Sequence, residues 1–436
     1  MTAIRKRVRI AILAHEFLIN IGANDFLKNI IRGLALDPQA ELIFLCPRPH
    51  ERVEHMVPAS VKHTLKNIPY LKQASRALVR FMAPAADRII RKTEAGEYDF
   101  YREACPRMEF VVCEISPAAL ARIKMERQID IFLPSIHILP QELPYLTYWP
   151  DCQPKHFPEF FDAESQRVRD ERIEGLLASG KPMIINSRDA KHDMQRFYGA
   201  DASQVFELPF APIVEFDKLT PRPELAGAYG LPRPYFIVCN QFWVHKSTET
   251  AIEAAHLARS RGMQVDMVFT GRMQEPRKPG YIDGLRRMVS DLGLADVVRF
   301  LDYVPKDDQL ELMKGAIAVI QPTLFEGGPG GGAVYDAVSL GIRTIVSDIP
   351  ISHELPLDPV RLVLFEPRNA ADLVDRMATF MNSRYVRPSP EDLYQLSRRS
   401  TEKLSARLYE AIDYELSGRA RAASAAVPVE AGRETS

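Results

Sequence analysis

Apolar runs alternate with amphipathic stretches along the first half of the chain. The runs at 8–14, 42–46 and 110–115 are continuous, which is typical of strands buried on both faces of a parallel sheet. Helical periodicity covers 26–36 and 117–127 between them. Further strand candidates are 129–134, 145–149 and 183–186. Because strand and helix alternate, the pattern predicts right-handed βαβ units.

The second half repeats the alternation. A helix over 281–292 is predicted to stop at Gly293, and prolines crowd the polar stretch 215–234 between the halves. Six strands are predicted at 236–240, 265–271, 297–302, 316–322, 343–348 and 361–367. The pattern therefore predicts two doubly wound, Rossmann-like parallel-sheet domains. We place an N-terminal domain at 1–215, a C-terminal domain at 216–389, a further helix at 390–417 and a disordered tail at 418–436.

Composition narrows the class of protein. A chain of 436 residues is too long for one compact core. Its 56 basic and 57 acidic residues nearly cancel, so its net charge does not indicate nucleic-acid binding. The five cysteines form no C-x-x-C pair, so neither a zinc site nor a disulfide framework is expected. The apolar run 10–14 is short for a signal peptide, and no window approaches about 20 apolar residues. We therefore expect a cytoplasmic protein.

The stretch 321–352 is the most informative part of the sequence. An apolar run ends before Glu326, a glycine-rich loop follows, and then come a helix, a stop at Gly341 and a strand over 344–346. The loop glycines are Gly327, Gly328, Gly330, Gly331 and Gly332. Glycines let backbone N–H groups approach a ligand, and the helix behind them presents its positive end. A carboxylate beside such an anion site suits a nucleotide sugar.

This stretch resembles the signature of retaining glycosyltransferases of family 4, which have the GT-B architecture of two Rossmann-like domains facing across a cleft. Those proteins carry a glutamate, a glycine-rich loop and a second glutamate eight positions on. Glu326 matches the first acid, and Asp336, ten positions on, is nearest to the second. The resemblance covers nearly the whole chain and is strongest over 235–352. It implies that the N-terminal domain binds the acceptor, that the C-terminal domain binds the nucleotide-sugar donor, and that the helix at 390–417 crosses back to the N-terminal domain.

The resemblance implies donor-binding residues after two other strands. In the family, a Gly-Arg pair followed by a lysine binds the donor diphosphate. Here Lys246 is present, Asn240 and Gln241 stand at the Gly-Arg positions, and Arg272 is placed to supply a second charge. Gly22, after the first strand, lies where the family has a glycine loop that touches the donor phosphate.

An acceptor-side residue follows the strand at 145–149. The segment around Asp151 and 156–161 resembles a family segment with a His-Asp pair and a Tyr-Pro-Glu-Phe-Phe motif, although Pro150 replaces the usual histidine. Asp151 would orient the acceptor hydroxyl or take its proton. The alternative interpretation is a turn aspartate after a proline. His156 is expected to anchor the loop.

These residues predict a mechanism without metal or other cofactor. No D-x-D triplet occurs, so Lys246, the loop amides and a helix N-terminus would stabilise the leaving diphosphate. Glu326 would hold the hydroxyls of the donor sugar and Asp336 those of the ribose. The acceptor would attack from the face that the diphosphate leaves, which retains configuration.

The basic stretch Lys62–Lys92 carries eight lysines and arginines against one acid, with apolar residues interleaved. Such a helix could lie on an anionic membrane, at its inner face, or receive a lipid-linked acceptor. It could equally be a solvated helix whose apolar stripe packs on its own sheet.

We therefore predict a hexosyltransferase that uses a nucleotide-diphosphate sugar to build a surface polysaccharide or glycolipid, with a mannose donor as a first guess. Two alternatives stay open: a GT-B nucleotide-sugar epimerase, and a degenerate nucleotide-sugar binder without catalysis. A Rossmann dehydrogenase is disfavoured because no G-x-G-x-x-G follows the first strand.

Overall fold

The computed structural model describes residues 7–15, 17–18, 21–47, 98–215, 218, 220, 222 and 224–425. The basic stretch Lys62–Lys92 lies outside them. The chain divides into two compact units. The first contains the described parts of Met1–Tyr148, Gly175–Ile184 and Ser405–Ser436, and the second contains those of Trp149–Glu174 and Ile185–Leu404. The domain limits predicted from the sequence stay predictions.

The first sheet has seven strands in the order β3-β2-β1-β4-β5-β6-β7. Its strands are β1 (Val8–Leu13), β2 (Ala40–Pro47), β3 (Glu109–Cys113), β4 (Ile131–Ser135), β5 (Tyr145–Tyr148), β6 (Met183–Ile185) and β7 (Val205–Glu207). Strand β1 pairs in parallel with both β2 and β4, so that Ile10 lies between Leu42 and Ile131. The central strand therefore has neighbours on both sides and is fully buried along most of its length.

The second sheet has six strands in the order β10-β9-β8-β11-β12-β13. They are β8 (Tyr235–Cys239), β9 (Asp266–Thr270), β10 (Val298–Phe300), β11 (Val319–Gln321), β12 (Thr344–Ser347) and β13 (Leu362–Phe365). Every pair is parallel. Both sheets share the doubly wound order in which the first strand lies between the second and the fourth. The prediction of two Rossmann-like parallel α/β sheets is confirmed.

Helices connect the strands as the periodicity predicts. They are α1 (Ile21–Ala35), α2 (Asp99–Ala104), α3 (Pro117–Arg127), α4 (Gln153–His156), α5 (Ala163–Ala178), α6 (Arg188–Tyr198), α7 (Glu224–Ala228), α8 (Thr248–Ser260), α9 (Tyr281–Asp291), α10 (Lys306–Gly315), α11 (Gly331–Ser339), α12 (Ala370–Asn382) and α13 (Pro390–Ala425). Helix α13 continues past its predicted end at 417. None of the helices in the described ranges is long and apolar enough to cross a membrane.

Strand β8 shows why its apolar run is continuous. Its side chains alternate between two hydrophobic clusters: Phe236 and Val238 pack on one side of the sheet, and Tyr235, Ile237 and Cys239 pack on the other. Successive strand residues point to opposite faces, so a strand covered by helices on both sides needs apolar residues at every position.

The C-terminal part of α13 is held within the first unit. The Tyr409 hydroxyl donates to the Leu34 carbonyl at 2.9 Å, and the Lys181 ammonium lies 2.7 Å from the Glu415 carboxylate. Both side chains of this ion pair are under a tenth exposed. A buried pair with a 2.7 Å hydrogen bond restricts where the helix can lie.

Each sheet has one point where the strand order reverses, and loops leave it on the carboxyl side. Ligands of open α/β sheets bind outside the carboxyl ends of the strands at such switch points. In the second sheet the reversal lies between β8 and β11, which end at Cys239 and Gln321. The loops that follow these two residues therefore emerge side by side.

Candidate functional site

Two amide side chains join the ends of β8 and β11. Asn240 Nδ2 donates to Gln321 Oε1 at 2.5 Å. Gln321 Nε2 in turn donates to Glu326 Oε1 at 2.8 Å and to the Gly330 carbonyl at 2.9 Å. This chain of hydrogen bonds fixes the Glu326 carboxylate, which the sequence singled out, at the switch point of the second sheet.

Lys246 reaches the same carboxylate from the β8 loop. Its Nζ lies 2.5 Å from Glu326 Oε1, and the two side chains are 11% and 9% exposed. Lys246 ends a 3₁₀ turn, Val244–Lys246, and Ser247, in the left-handed region, precedes α8. The His245 carbonyl accepts from Leu324 N at 2.7 Å. Backbone and side chain therefore both tie the lysine turn to the glutamate loop.

The glycines allow the loop to close around Glu326. Gly330 and Gly331 have φ of 70° and 66°, and Gly331 is the first residue of α11. A Cβ on Gly331 would lie 2.8 Å from Glu326 Oε2, so the position demands glycine for both conformation and space. The N-terminus of α11 consequently lies beside the carboxylate.

Asp151 belongs to the same unit and lies against the loop. A Cβ on Gly327 would lie 2.7 Å from Asp151 Oδ2, and Asp151 Oδ1 accepts from Gln153 N at 2.9 Å. Burial raises the pKa of Asp151, and the charge of Glu326 adds to the rise, whereas the Gln153 hydrogen bond and Arg169 oppose it. The structure thus brings together the three residues predicted to be catalytic.

His156 anchors the segment that carries Asp151. Its Nε2 lies 2.6 Å from Asp193 Oδ2, and its ring centroid lies 5.1 Å from that of Phe325, the neighbour of Glu326. The hydrogen bond to Asp193 raises the pKa of His156 in spite of the opposing effect of burial. The contacts of His156 are those of a residue that holds a loop in place.

The remaining predicted residues lie apart from the Lys246–Glu326 pair or at its edge. Asp336 forms a 2.5 Å ion pair with Lys306. Its charge adds to the effect of burial, which raises the pKa of Cys239 to about 12, so the carboxylate lies near the end of β8. Arg272 is exposed, with its guanidinium 5.6 Å from the Tyr303 ring.

Three further residues were predicted to contact the ligand: Gln241, Gly328 and Gly22. Gln241 is exposed in the β8 loop, and the Gly328 carbonyl accepts from the Gly331 N–H at 3.1 Å within the glycine loop. Gly22 is the second residue of α1 and belongs to the first unit.

Several residues of the site were not predicted from the sequence. Gln321 is the polar residue that ends an apolar strand, and this position could have revealed it. Asp193, 37 positions from His156, has no local signal. His245 is 3% exposed, and its Nδ1 has no hydrogen-bond partner among the described residues. Burial, followed by the charges of Lys246 and Arg277, lowers the pKa of His245 to about 2, so its ring is neutral.

Within the described ranges, no group of three or more histidine, cysteine, aspartate or glutamate side chains could hold a metal ion.

Comparison with known sequences identifies the C-terminal part of the chain. Residues 227–400 match the family model described as glycosyl transferases group 1. The O-antigen chain mannosyltransferase RfbU of Salmonella typhimurium is 30% identical over 121 residues, which are 28% of this chain and 31% of that protein. The chain thus matches less than a third of the length of this relative.

Solved structures resemble the chain over nearly its full length. Sucrose-phosphate synthase from Thermosynechococcus elongatus has a TM-score of 0.57 at 13% identity, covering 97% of this chain and 100% of that one. Anabaena HepE in complex with UDP has a TM-score of 0.53 at 12% identity, covering 96% and 100%. The fold is therefore GT-B, as the sequence predicted, and residues 227–400 match the group 1 glycosyltransferase model. Lys246 and the whole glutamate loop lie inside the matched range.

Proposed function

We propose that this protein transfers a hexose from a nucleoside diphosphate sugar to a glycan or lipid-linked acceptor, with retention of configuration and without a metal ion. The observation that carries the proposal is the Lys246–Glu326 pair at the switch point of the second sheet, beside the N-terminus of α11. The group 1 domain match supports it, and so does the UDP bound by the Anabaena protein.

Lys246 and the first turn of α11 supply positive charge for a leaving diphosphate. An ammonium has three N–H donors, and Glu326 occupies one of those of Lys246. The other two can bind phosphate oxygens without breaking the ion pair. The positive end of the α11 dipole favours the same anion. Fixed donors of this kind stabilise charge that develops as the bond to the diphosphate breaks.

Glu326 is arranged to bind the donor sugar. Its Oε1 accepts from both Lys246 and Gln321, whereas its Oε2 faces Gly331. Oε2 can therefore accept hydrogen bonds from sugar hydroxyls. Asp336, near the end of β8, would take the ribose hydroxyls of the nucleotide.

Asp151 is proposed to act on the acceptor. The bond from the sugar anomeric carbon to the diphosphate oxygen breaks, a bond to the acceptor oxygen forms on the same face, and the acceptor loses its proton. Asp151 would orient this hydroxyl and take the proton. Its raised pKa makes it a better base than an ordinary aspartate.

The test begins with a thermal-shift screen of nucleotide sugars, including mannose donors because RfbU is named a mannosyltransferase. The best ligand is then incubated with and without saccharide acceptors, and in the presence of EDTA. Acceptor-dependent consumption with an unchanged anomeric configuration, read by NMR, is the expected result. Release of free nucleotide and an epimerised sugar without acceptor would indicate the epimerase, and binding without turnover the degenerate binder. An inverted product would contradict retention, and loss of turnover with EDTA would contradict metal independence.

Membrane association through Lys62–Lys92 is a separate hypothesis, based on the charge of that stretch. Sedimentation with vesicles that contain anionic lipid should show salt-sensitive binding. Absence of such binding would contradict a peripheral location at the inner face of the membrane.

A further inference from the structure

Three aromatic rings of the second unit lie around one guanidinium near the candidate site, and a fourth ring stacks on one of them. Arg277 lies 5.2 Å from the ring of Trp243, 5.7 Å from that of Phe160 and 5.8 Å from that of Phe161. Phe157 stacks on Phe160 with 5.5 Å between centroids and 4° between planes. All four rings are partly exposed. We name Phe157, Phe160, Phe161, Trp243 and Arg277 the aromatic patch.

A buried carboxylate holds the centre of the aromatic patch. Glu275, with a side chain 1% exposed, accepts from Arg277 Nε at 3.0 Å and from Nη2 at 2.9 Å. Glu275 also accepts from Val244 N at 3.0 Å, in the turn that carries Lys246. A guanidinium bound in this bidentate way has a fixed plane, so the surrounding rings are held in a defined arrangement.

The aromatic patch is continuous with the candidate site on both sides. The Trp243 carbonyl accepts from Lys246 N at 2.8 Å. The Phe157 ring lies 6.3 Å from that of Phe325, which immediately precedes Glu326. A molecule on the patch would therefore lie next to the two charged residues proposed to bind the donor.

We propose that the aromatic patch binds a neutral pyranose ring of the acceptor. One face of a pyranose presents C–H groups of partial positive charge, which pack against the negative face of an aromatic ring. The charge of Arg277 is compensated by Glu275, so the patch offers planar N–H donors and apolar surface rather than net positive charge. This combination suits a sugar ring better than a phosphate group. The inference rests on the proposed transferase function.

The position of the patch favours the acceptor over the nucleobase of the donor. Phe157, Phe160 and Phe161 follow Asp151 on one segment, and Asp151 is the residue proposed to orient the acceptor hydroxyl. The Arg169 guanidinium lies 5.2 Å from the Phe161 ring. Its charge opposes the rise in the pKa of Asp151. Its guanidinium N–H groups suit the hydroxyls of a sugar as acceptors.

Saturation-transfer NMR on the full chain tests the proposal, with methyl α-D-mannopyranoside and methyl α-D-glucopyranoside as probes, with and without UDP. The parent protein should transfer saturation to the ring C–H protons of at least one glycoside. Phe160→Leu and Trp243→Leu should reduce this transfer by roughly fivefold or more, because the π face is lost. Phe160→Tyr, which keeps the ring, should restore it. Tyr394→Leu, at an aromatic residue 41% exposed outside the patch, is the matched control and should leave it unchanged.

Three outcomes would overturn the proposal that the aromatic patch binds the acceptor. They are absence of transfer to either glycoside in the parent, unchanged transfer in both leucine variants, and saturation of the uracil protons of UDP that Phe160→Leu abolishes. The last would assign the rings to the nucleobase. The thermal shift by a nucleotide sugar is measured on the same samples and should persist in Phe160→Leu. Its absence from the parent would reject the transferase itself, independently of the aromatic patch.

Discussion

The two sheets share a strand order but carry different chemistry at their switch points. In the second sheet, the loops after β8 and β11 bring a lysine and a glutamate together at 2.5 Å. In the first sheet, the corresponding strands are β1 and β4. The residues that follow them include His15 and His137, whose rings stack with 6.2 Å between centroids and 22° between planes. Among the described residues, the second-sheet switch point carries an ion pair and the first-sheet switch point carries a stacked pair of imidazoles.

The difference shows what the topology determines and what it leaves to the side chains. Strand order makes a place where two loops diverge, and this place exists in both sheets. Only the second sheet, within the described residues, has the amide chain from Asn240 through Gln321 to Glu326, and the glycines packed against that carboxylate. We expect the anionic donor to depend on the charged switch point and to be indifferent to the imidazole pair.

The largest effect is expected at Lys246. Lys246→Ala removes the cation that pairs with Glu326 and should lower turnover roughly a hundredfold or more, since the loss of one fixed donor to a developing anion costs about 3 kcal/mol. Turnover is measured at saturating donor, with circular dichroism to verify folding. Lys278→Ala, at an exposed lysine in the same unit, should retain the parent rate. A Lys246→Ala enzyme as fast as the parent would contradict the expectation that turnover depends on the charged switch point.

A smaller effect is expected from a methyl group in the glycine loop. Gly331→Ala places a Cβ 2.8 Å from Glu326 Oε2 at a φ of 66°, and should lower turnover by about tenfold, with about 1–2 kcal/mol of backbone strain. Gly332→Ala is the matched control, because a Cβ there meets nothing within 4 Å. Rates and melting temperatures of the two variants are compared. Equal behaviour of both would show that the close approach at Gly331 is irrelevant to catalysis.

Much of the fold could be predicted because it depends on local sequence patterns. The continuous apolar run of β8 and the glycine stop after α9 identify their elements directly. Strand β7, only three residues long at Val205–Glu207, carries too short a pattern and was not predicted. Likewise Glu326 and Lys246 could be singled out from their loops. The contact of His156 with Asp193 and the role of Glu275 depend on tertiary packing, which no spacing along the chain encodes.

The third prediction separates catalysis from stability at Asp151. A carboxyl whose pKa is raised by folding contributes stability below its unfolded value, near 3.8, and this contribution is lost as the pH rises through the folded value. Asp151 therefore contributes less to stability at pH 7 than it does below pH 3.8. Asp151→Asn should raise the melting temperature at pH 7, by about 2–4 °C for each kcal/mol regained, and the gain should disappear near pH 4.

The same variant should be slower by roughly tenfold, less than the 10²–10⁴ of complete acid–base catalysis, because an amide can still orient the acceptor. Asp162→Asn is the control of opposite sign. Hydrogen bonds from Ser165 lower the pKa of Asp162, so its neutralisation should not stabilise the protein at pH 7. If Asp151→Asn melts below the parent at pH 7, burial of the Asp151 carboxylate does not destabilise the fold.

The smallest effect is expected in the first sheet, and it tests whether the two switch points differ in donor binding. His137→Gln removes one imidazole of the pair and should leave the thermal shift by a nucleotide sugar unchanged, because the charged groups proposed to bind the donor lie in the second unit. Glu326→Gln keeps the size of the side chain but removes the charge that holds Lys246, and should reduce the same shift. The two variants are melted side by side over a donor titration. Loss of the shift in His137→Gln, with the parent melting temperature retained in the absence of donor, would mean that the imidazole switch point also contributes to donor binding. The two switch points, which share a strand order, would then also share a role in donor binding.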